Sequence, residues 1–308
     1  MQDPRIFPLL EVSHAELEAL AGLPIRRVEP VHGGFTNTLH RVTVETGELL
    51  VVKHFAGGGQ AYRDELRILR ALGGLLPVPE IVRSDDAKHV IVYRWIEGTT
   101  LDECRRCESA DAFGSLAGPL GRLLAWLGRV APLDRDAHWT AGPLVARARV
   151  LLSDSRARHR MGDPLAQALL HAYDALGDRL AFGMPCLSHG DLGGRNILVQ
   201  HAGGERWRIG GIIDWEIAGT GSPLVDIGSL FRYAPRFEPA FVRAFAAGYR
   251  EADGELPDDW YLLARLLDAV RMIDILDENR ELPGVFADCR MLLAHLAHDL
   301  RTRFAVRA

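Results

Sequence analysis

Apolar and polar residues alternate over much of the first hundred positions. Residues 38–44 follow a period of two. After a turn at Thr46-Gly47, residues 49–55 open on a continuous apolar run, so the two read as a strand pair. Gly57-Gly58-Gly59 breaks the pattern, and apolar positions then recur at helical spacing from about Ala61 to Leu72, stopped by Gly73-Gly74. Beyond Pro77 and Pro79, Ile81-Val82 and the run 89–95 read as two further strands, with 97–100 as a connector. From Leu101 onward helical spacing takes over and predicts helices over 109–130, 144–153, 165–182, 238–251, 258–279 and 286–304. A strand-rich insert at about 186–214 interrupts them. The pattern predicts an α+β molecule of two lobes. A small β-rich lobe with one helix spans 1–96, ending in a connector at about 92–98, and a larger, mainly helical lobe spans 97–308.

Composition narrows the partners. Hydrophobic residues make up 48% of the 308 and charged residues 25%, enough apolar surface for a substantial core. With 36 basic against 41 acidic residues the net charge is −5, which argues against nucleic acid as a partner. No apolar run approaches the roughly 20 residues that span a bilayer. The first residues lack the pattern of a signal peptide, so no membrane association and a cytoplasmic location are expected. Four scattered cysteines make no disulfide framework. Cys104 and Cys107 lack a second pair at metal-ligand spacing and read as small residues on a helical turn. Oligomeric state leaves no mark on the sequence.

The candidate chemistry centres on residues 187–199. Asp191 sits on a glycine-flanked turn, Asn196 follows five positions later, and an apolar run leads through a turn to Ile212-Ile213-Asp214-Trp215. Phosphoryl transfer needs a carboxylate to receive the acceptor's proton and hard oxygen ligands to hold Mg²⁺ against nucleotide phosphates. Asp191 is the candidate base, and Asn196 and Asp214 are the candidate metal ligands. His189 reads as a structural residue that hydrogen-bonds near the turn. In the small lobe, Gly33 and Gly34 lie between strand-like runs, where glycines let backbone N–H groups approach an anion. Lys53 closes an apolar strand. Glu65 falls on the inward stripe with Ile68, Leu69 and Leu72, where a carboxylate must find a partner, and Lys53 is the obvious one.

Taken together these residues resemble the aminoglycoside phosphotransferase and choline kinase-like enzymes, a small-molecule branch of the protein-kinase-like fold. His189-Gly190-Asp191 through Asn196 resembles that family's catalytic loop, and Ile213-Asp214-Trp215-Glu216 its metal-binding segment. Asp226-Ile227-Gly228 resembles the segment whose acid braces the catalytic loop. Gly33-Gly34 with Asn37 resembles the phosphate loop, and Lys53 with Glu65 the ion pair that grips the phosphates. The hinge would lie at 92–96, where Arg94, Trp95 and Ile96 would meet the base of the nucleotide. The resemblance spans about residues 25–235 and implies Mg²⁺, two ions by the family pattern, and ATP or GTP as donor. Arg94 stands where the hinge often carries an acid, and Arg195 immediately precedes the metal asparagine. The longer H-R-D loop and the A-P-E segment of protein kinases are missing, which argues against a protein substrate.

Acceptor identity is sought in the C-terminal helices. Between Glu251 and Glu281 ten acids face three arginines. Asp274, Asp277 and Glu278 continue the apolar stripe of Leu263, Leu266, Leu267, Val270 and Ile273. Acids there suit the lip of a cleft holding a cationic acceptor such as an aminoglycoside or basic peptide antibiotic, and a role in antibiotic resistance. The plainer alternative is a solvated helix end, or pairing with Arg301 and Arg303. A metabolic kinase of choline, a sugar or an amino alcohol shares every motif. A silent nucleotide-binding module would leave filled catalytic positions idle. An Mg²⁺-dependent hydrolase would leave Lys53 and Glu65 without work.

Overall fold

A computed structural model of the protein describes residues 7–31, 36–57, 59–133, 137–203 and 206–305. Gly33 and Gly34 lie outside these described residues.

The chain opens with a helix that the strand-like pattern concealed, α1 (His14–Ala21). Ser13 caps it by accepting from the Glu16 N–H, and Gly22 ends it at φ 71°. The small lobe therefore carries two helices. Strands β1 (Ile25–Val31), β2 (Thr38–Val44) and β3 (Leu49–His54) form a meander. Helix α2 (Gly59–Leu72) and strands β4 (Ile81–Asp85) and β5 (Val90–Arg94) follow. The sheet is antiparallel in the order β1-β2-β3-β5-β4. Lys53 is flanked across it by Leu39 and Ile91. Helix α2 serves two cores. Tyr62 and Leu66 pack with Phe55, Ile91 and Tyr93, whereas Ile68, Leu69 and Leu72 join the core of the large lobe.

The large lobe begins with β6 (Thr99–Thr100) and α3 (Leu101–Cys107), which Thr100 and Glu103 start with a reciprocal capping box. Helix α3 carries Cys104 buried and Cys107 exposed, both free. The single helix expected over 109–130 is broken into α4 (Ala110–Gly114) and α5 (Ala117–Leu127). Pro119 explains the break, since its ring cannot donate to the Ser115 carbonyl and would clash with it in a continuous helix. Helices α6 (Ala141–Ser153), α7 (Arg156–Met161) and α8 (Asp163–Leu180) come next. Then come the strands of the insert, β7 (Cys186–Ser188), β8 (Ile197–His201) and β9 (Trp207–Ile212), and, beyond its expected end, β10 (Gly219–Gly221). These form a β10-β7 pair and a β6-β8-β9 sheet. Helices α9 (Pro223–Leu230), α10 (Pro239–Glu251), α11 (Trp260–Asp277) and α12 (Pro283–Ala305) complete the lobe.

Two close crossings set the geometry beneath the insert. A Cβ on Gly121 of α5 would lie 2.1 Å from the Phe245 carbonyl of α10, and one on Gly228 of α9 the same distance from the Ala264 carbonyl of α11. Only glycine admits these backbones so near one another. Gly228 matters more for function, because α9 carries Asp226 and α11 carries Asp268. Among the described residues no helix is long and apolar enough to cross a membrane.

Candidate active site

The loop after β7 is built around an inward carboxylate. Asp226, buried on α9, accepts from the backbone N–H of His189 at 2.8 Å and of Gly190 at 2.9 Å. Gly190 takes φ 82°, and a Cβ there would sit 2.5 Å from the Trp139 ring, so glycine is required on both counts. His189 is buried; its Nδ1 accepts from the Asp191 N–H at 3.3 Å and its Nε2 donates to the Ile213 carbonyl at 2.9 Å. It thus ties the loop to the segment bearing Asp214. Asn196, also buried, donates from Nδ2 to the Asp191 carbonyl at 2.9 Å. That bond fixes which way the amide lies and turns its Oδ1 away, available as a hard ligand.

Asp191 is 9% exposed and bounded by guanidinium groups. Arg195 Nη2 donates to Oδ2 at 2.5 Å, and Arg232 Nη2 to Oδ1 at 3.1 Å. Arg232 is itself held by the buried Asp268, through Nε at 2.9 Å and Nη2 at 2.8 Å. Burial pushes the Asp191 carboxyl up, but Arg232, Arg195 and Arg271 outweigh it and bring it down to about 2.

Across the cleft the charges reverse. Lys53, 2% exposed, donates to Glu65 at 2.7 Å and to Asp214 at 2.8 Å, with Glu216 at 3.5 Å. Burial works to lower the Lys53 ammonium, yet Asp214 and Glu65 hold it well above its usual range, so it stays charged. Burial pushes Glu65 up to about 7 against the pull of Lys53. Asp214 also feels burial pushing it up, but Lys53 keeps it below the ordinary carboxylate value. One oxygen from each of Glu65, Asp214 and Glu216 lies within 4.8 Å of the others. Asp214 adopts φ 69°, a conformation unusual for a non-glycine residue and tolerated best by Asp and Asn. Buried Trp215, bonded through Nε1 to the Ile212 carbonyl at 2.9 Å, anchors the segment between the two acids that turn toward Lys53.

The sequence-predicted residues distribute unevenly. Lys53, Glu65 and Asp214 are in direct contact, and His189, Asp191, Asn196 and Asp226 form one hydrogen-bonded loop. Asn37 donates to Glu216 through Nδ2 and accepts from the Ala56 N–H through Oδ1. In the hinge, the Trp95 N–H donates to the Leu49 carbonyl at 2.9 Å, and the Arg94 side chain is taken by Glu48 and Glu80. Ile96 packs over Gly211.

The end of α11 is held by arginines from α6 and α7 rather than by Arg301 or Arg303. Asp274 accepts from Arg147 at 2.8 Å, and the Asp277 carbonyl from Arg156 at 2.8 Å. The Glu278 carbonyl accepts from Arg160 at 2.7 Å, while Arg303 goes to Asp259. Sequence reasoning passed over Arg232 and gave Asp268 and Glu216 no site role of their own. Asp268 carried a related signal, an acid within an apolar run, between Leu267 and Ala269. Glu216 follows directly on the buried tryptophan.

A family model described as the phosphotransferase enzyme family matches residues 27–273. A search against curated proteins finds no match. Among solved structures, the chain is similar to a thermostable mutant of aminoglycoside phosphotransferase APH(4)-Ia in ternary complex with ADP and hygromycin B. The identity is 16% and the TM-score 0.66, with 92% of this chain and 97% of that one covered. Macrolide 2'-phosphotransferase MphH from Brachybacterium faecium is 18% identical at TM-score 0.65, with 90% and 96% covered. Choline kinase LicA from Streptococcus pneumoniae is 17% identical at TM-score 0.66, with 93% and 100% covered. At these identities the likeness shows the fold, which is protein-kinase-like.

Proposed function

Because this chain belongs to the phosphotransferase enzyme family and is a transferase acting on hydroxyl groups, we propose that it phosphorylates a small-molecule alcohol from ATP or GTP in the cytoplasm. The observation that carries the reading is the meeting of Lys53, Glu65 and Asp214 across from the Asp191–Asn196 loop. The small lobe to about residue 96 supplies the nucleotide site, with Lys53 oriented by Glu65 toward the phosphates. Among the described residues no backbone hydrogen bond engages the Ile96 N–H, which leaves it for the nucleotide base.

The donor set fits Mg²⁺. Asp214 and the outward Oδ1 of Asn196 are hard oxygen ligands, with Glu216 alongside. Three carboxylates around one ammonium also leave that wall with a negative surplus that a divalent cation balances. When bound, the metal neutralises charge on the donor phosphates.

Asp191 then orients the acceptor. The hydroxyl oxygen bonds to the γ-phosphorus as the bond from that phosphorus to the β–γ bridging oxygen breaks, and the electron pair leaves with the nucleoside diphosphate. The hydroxyl proton passes to Asp191 and on to solvent. A carboxyl held at about 2 is a weak base, so its contribution is placement more than proton affinity, in keeping with a loose transition state.

The cationic-antibiotic acceptor draws little support from the end of α11, where Arg147 already pairs with the Asp274 carboxylate and Arg156 stands 3.9 Å from that of Asp277. The acceptor class is therefore sought at Asp191 itself. The test of the general reading is a coupled nucleotide-consumption assay over amino-sugars, choline-like amines, sugars and hydroxy acids. Acceptor-dependent turnover is expected in wild type and a fall of at least about 10³-fold in Asp191→Asn, with nucleotide affinity retained. Equal turnover in that variant removes the assignment of Asp191.

A further inference from the structure

The surroundings of Asp191 carry more positive charge than a base needs. Three guanidinium groups converge on its side of the cleft, and they differ in how far their donors are used. Arg232 is committed: it bridges both oxygens of Asp268, reaches Asp191 and touches Ser229 at 3.2 Å. Arg195 makes one contact, to Asp191 Oδ2, from a side chain that is 55% exposed. Arg271, on α11, stands 5.4 Å from the centroid of the Trp139 ring, the same ring that closes against Gly190. Its Nε is shut off from solvent without an acceptor, and among the described residues Arg271 makes no hydrogen bond or ion pair. A guanidinium half-buried in this way holds donors that folding itself leaves unused.

The charge count points the same way. Asp268 answers Arg232, and Asp191 is left facing Arg195 and Arg271, a surplus of one positive charge where the acceptor must sit. The acids expected to attract a cation, Asp274 and Asp277, face Arg147 and Arg156 instead. A cationic acceptor would bring its charge up to guanidinium groups. An anion would find two of them with free donors, in the fork geometry that suits carboxylate and phosphate.

We propose that the acceptor is an anionic alcohol, a hydroxyl compound bearing a carboxylate or phosphate, whose anion is held by Arg195 and Arg271 while its hydroxyl meets Asp191. This rests on the phosphotransferase reading above. It also gives Arg195 a second duty. Turning to the anion, it releases Asp191 Oδ2 to accept the hydroxyl proton, so the acceptor frees the group that positions it. Arg232, locked by Asp268, keeps Asp191 ionised and aimed throughout.

The test is calorimetry on protein saturated with Mg²⁺ and a non-hydrolysable ATP analogue, so that any donor-phosphate contacts are already made. Binding of the analogue alone tests the phosphotransferase reading separately. The saturated protein is then titrated with matched alcohols: glycerol, glycerate and glycerol 3-phosphate; galactose, galacturonate and galactosamine; and choline and kanamycin as cations. An anionic member is expected to bind at least tenfold more tightly than its neutral parent. Which anion wins distinguishes carboxylate from phosphate. Arg195→Gln and Arg271→Gln are each expected to weaken that binding at least tenfold while the analogue's affinity stays within twofold. Tighter binding of a neutral or cationic compound overturns the proposal, as does the absence of any gain from the anion. So does a loss of analogue affinity in the arginine variants, which would assign those side chains to the γ-phosphate.

Discussion

The two walls of the cleft solve opposite electrostatic problems. On one, a single ammonium, Lys53, stands among Glu65, Asp214 and Glu216; on the other, the carboxylates of Asp191 and Asp268 stand among three guanidinium groups, Arg195, Arg232 and Arg271. A site built for one partner would need only one of these inventories. The difference teaches that two partners of different charge meet here. The carboxylate wall matches a metal cation carried with the nucleotide, and the guanidinium wall matches what comes from the other side. Neither wall is neutral by itself, and buried surplus charge is costly unless a ligand answers it. On this account, part of the protein's stability near neutral pH is conditional on its substrates.

The sharpest way to break the comparison is to remove its central cation. Lys53→Met leaves Glu65 buried at 1% exposure with no ammonium. Chemical denaturation is expected to show a loss of about 3–5 kcal/mol, with nucleotide binding abolished. The double variant Lys53→Met/Glu65→Leu is expected to regain most of the stability and none of the binding. Full recovery of nucleotide affinity would detach the pair from the phosphates.

A smaller effect is expected from Asp226→Asn. The amide retains one acceptor oxygen for two backbone donors, His189 and Gly190, and turns an N–H toward the other. A loss of about 1–3 kcal/mol should follow. Because the loop carries Asp191, kcat should fall more than nucleotide affinity does.

The smallest effect concerns pH. Asp191, held at about 2 against an ordinary 3.8, contributes stability that is present above its unfolded value and lost as pH falls through its folded one. The stability gap between wild type and Asp191→Asn, followed by thermal unfolding, should therefore narrow by about 1–2 kcal/mol from pH 4 to pH 2. A gap that stays constant over that range would mean that the guanidinium groups do not act on Asp191.

Much of the carboxylate wall, and Asp191 opposite it, could be read from the chain before any coordinates, and the reason is physical. Asp191, Asn196 and Asp214 sit within one short strand–loop–strand unit, so their spacing is fixed by local backbone. Glu65 announced itself as an acid on an apolar face. The guanidinium wall was hidden because its partners meet only through tertiary packing. Arg232 reaches Asp191 from beyond α9, and Asp268 comes from α11, which Gly228 allows to approach. The same limit hid which groups face the acidic helix end. Asp274 is 127 positions from Arg147 in sequence, and no local pattern reveals that pairing. The break at Pro119 and the cap at Ser13 were, by contrast, local signals that the broad apolar periodicity masked.

The central claim is that the carboxylate wall takes a divalent metal together with a nucleotide. It is tested most directly by titrating a non-hydrolysable ATP analogue into wild type and Asp214→Asn, each with and without Mg²⁺. Mg²⁺ is expected to tighten binding to wild type at least about 100-fold and to have almost no effect on the variant. Equal affinity in wild type with and without the metal, or no nucleotide affinity under either condition, would contradict the account.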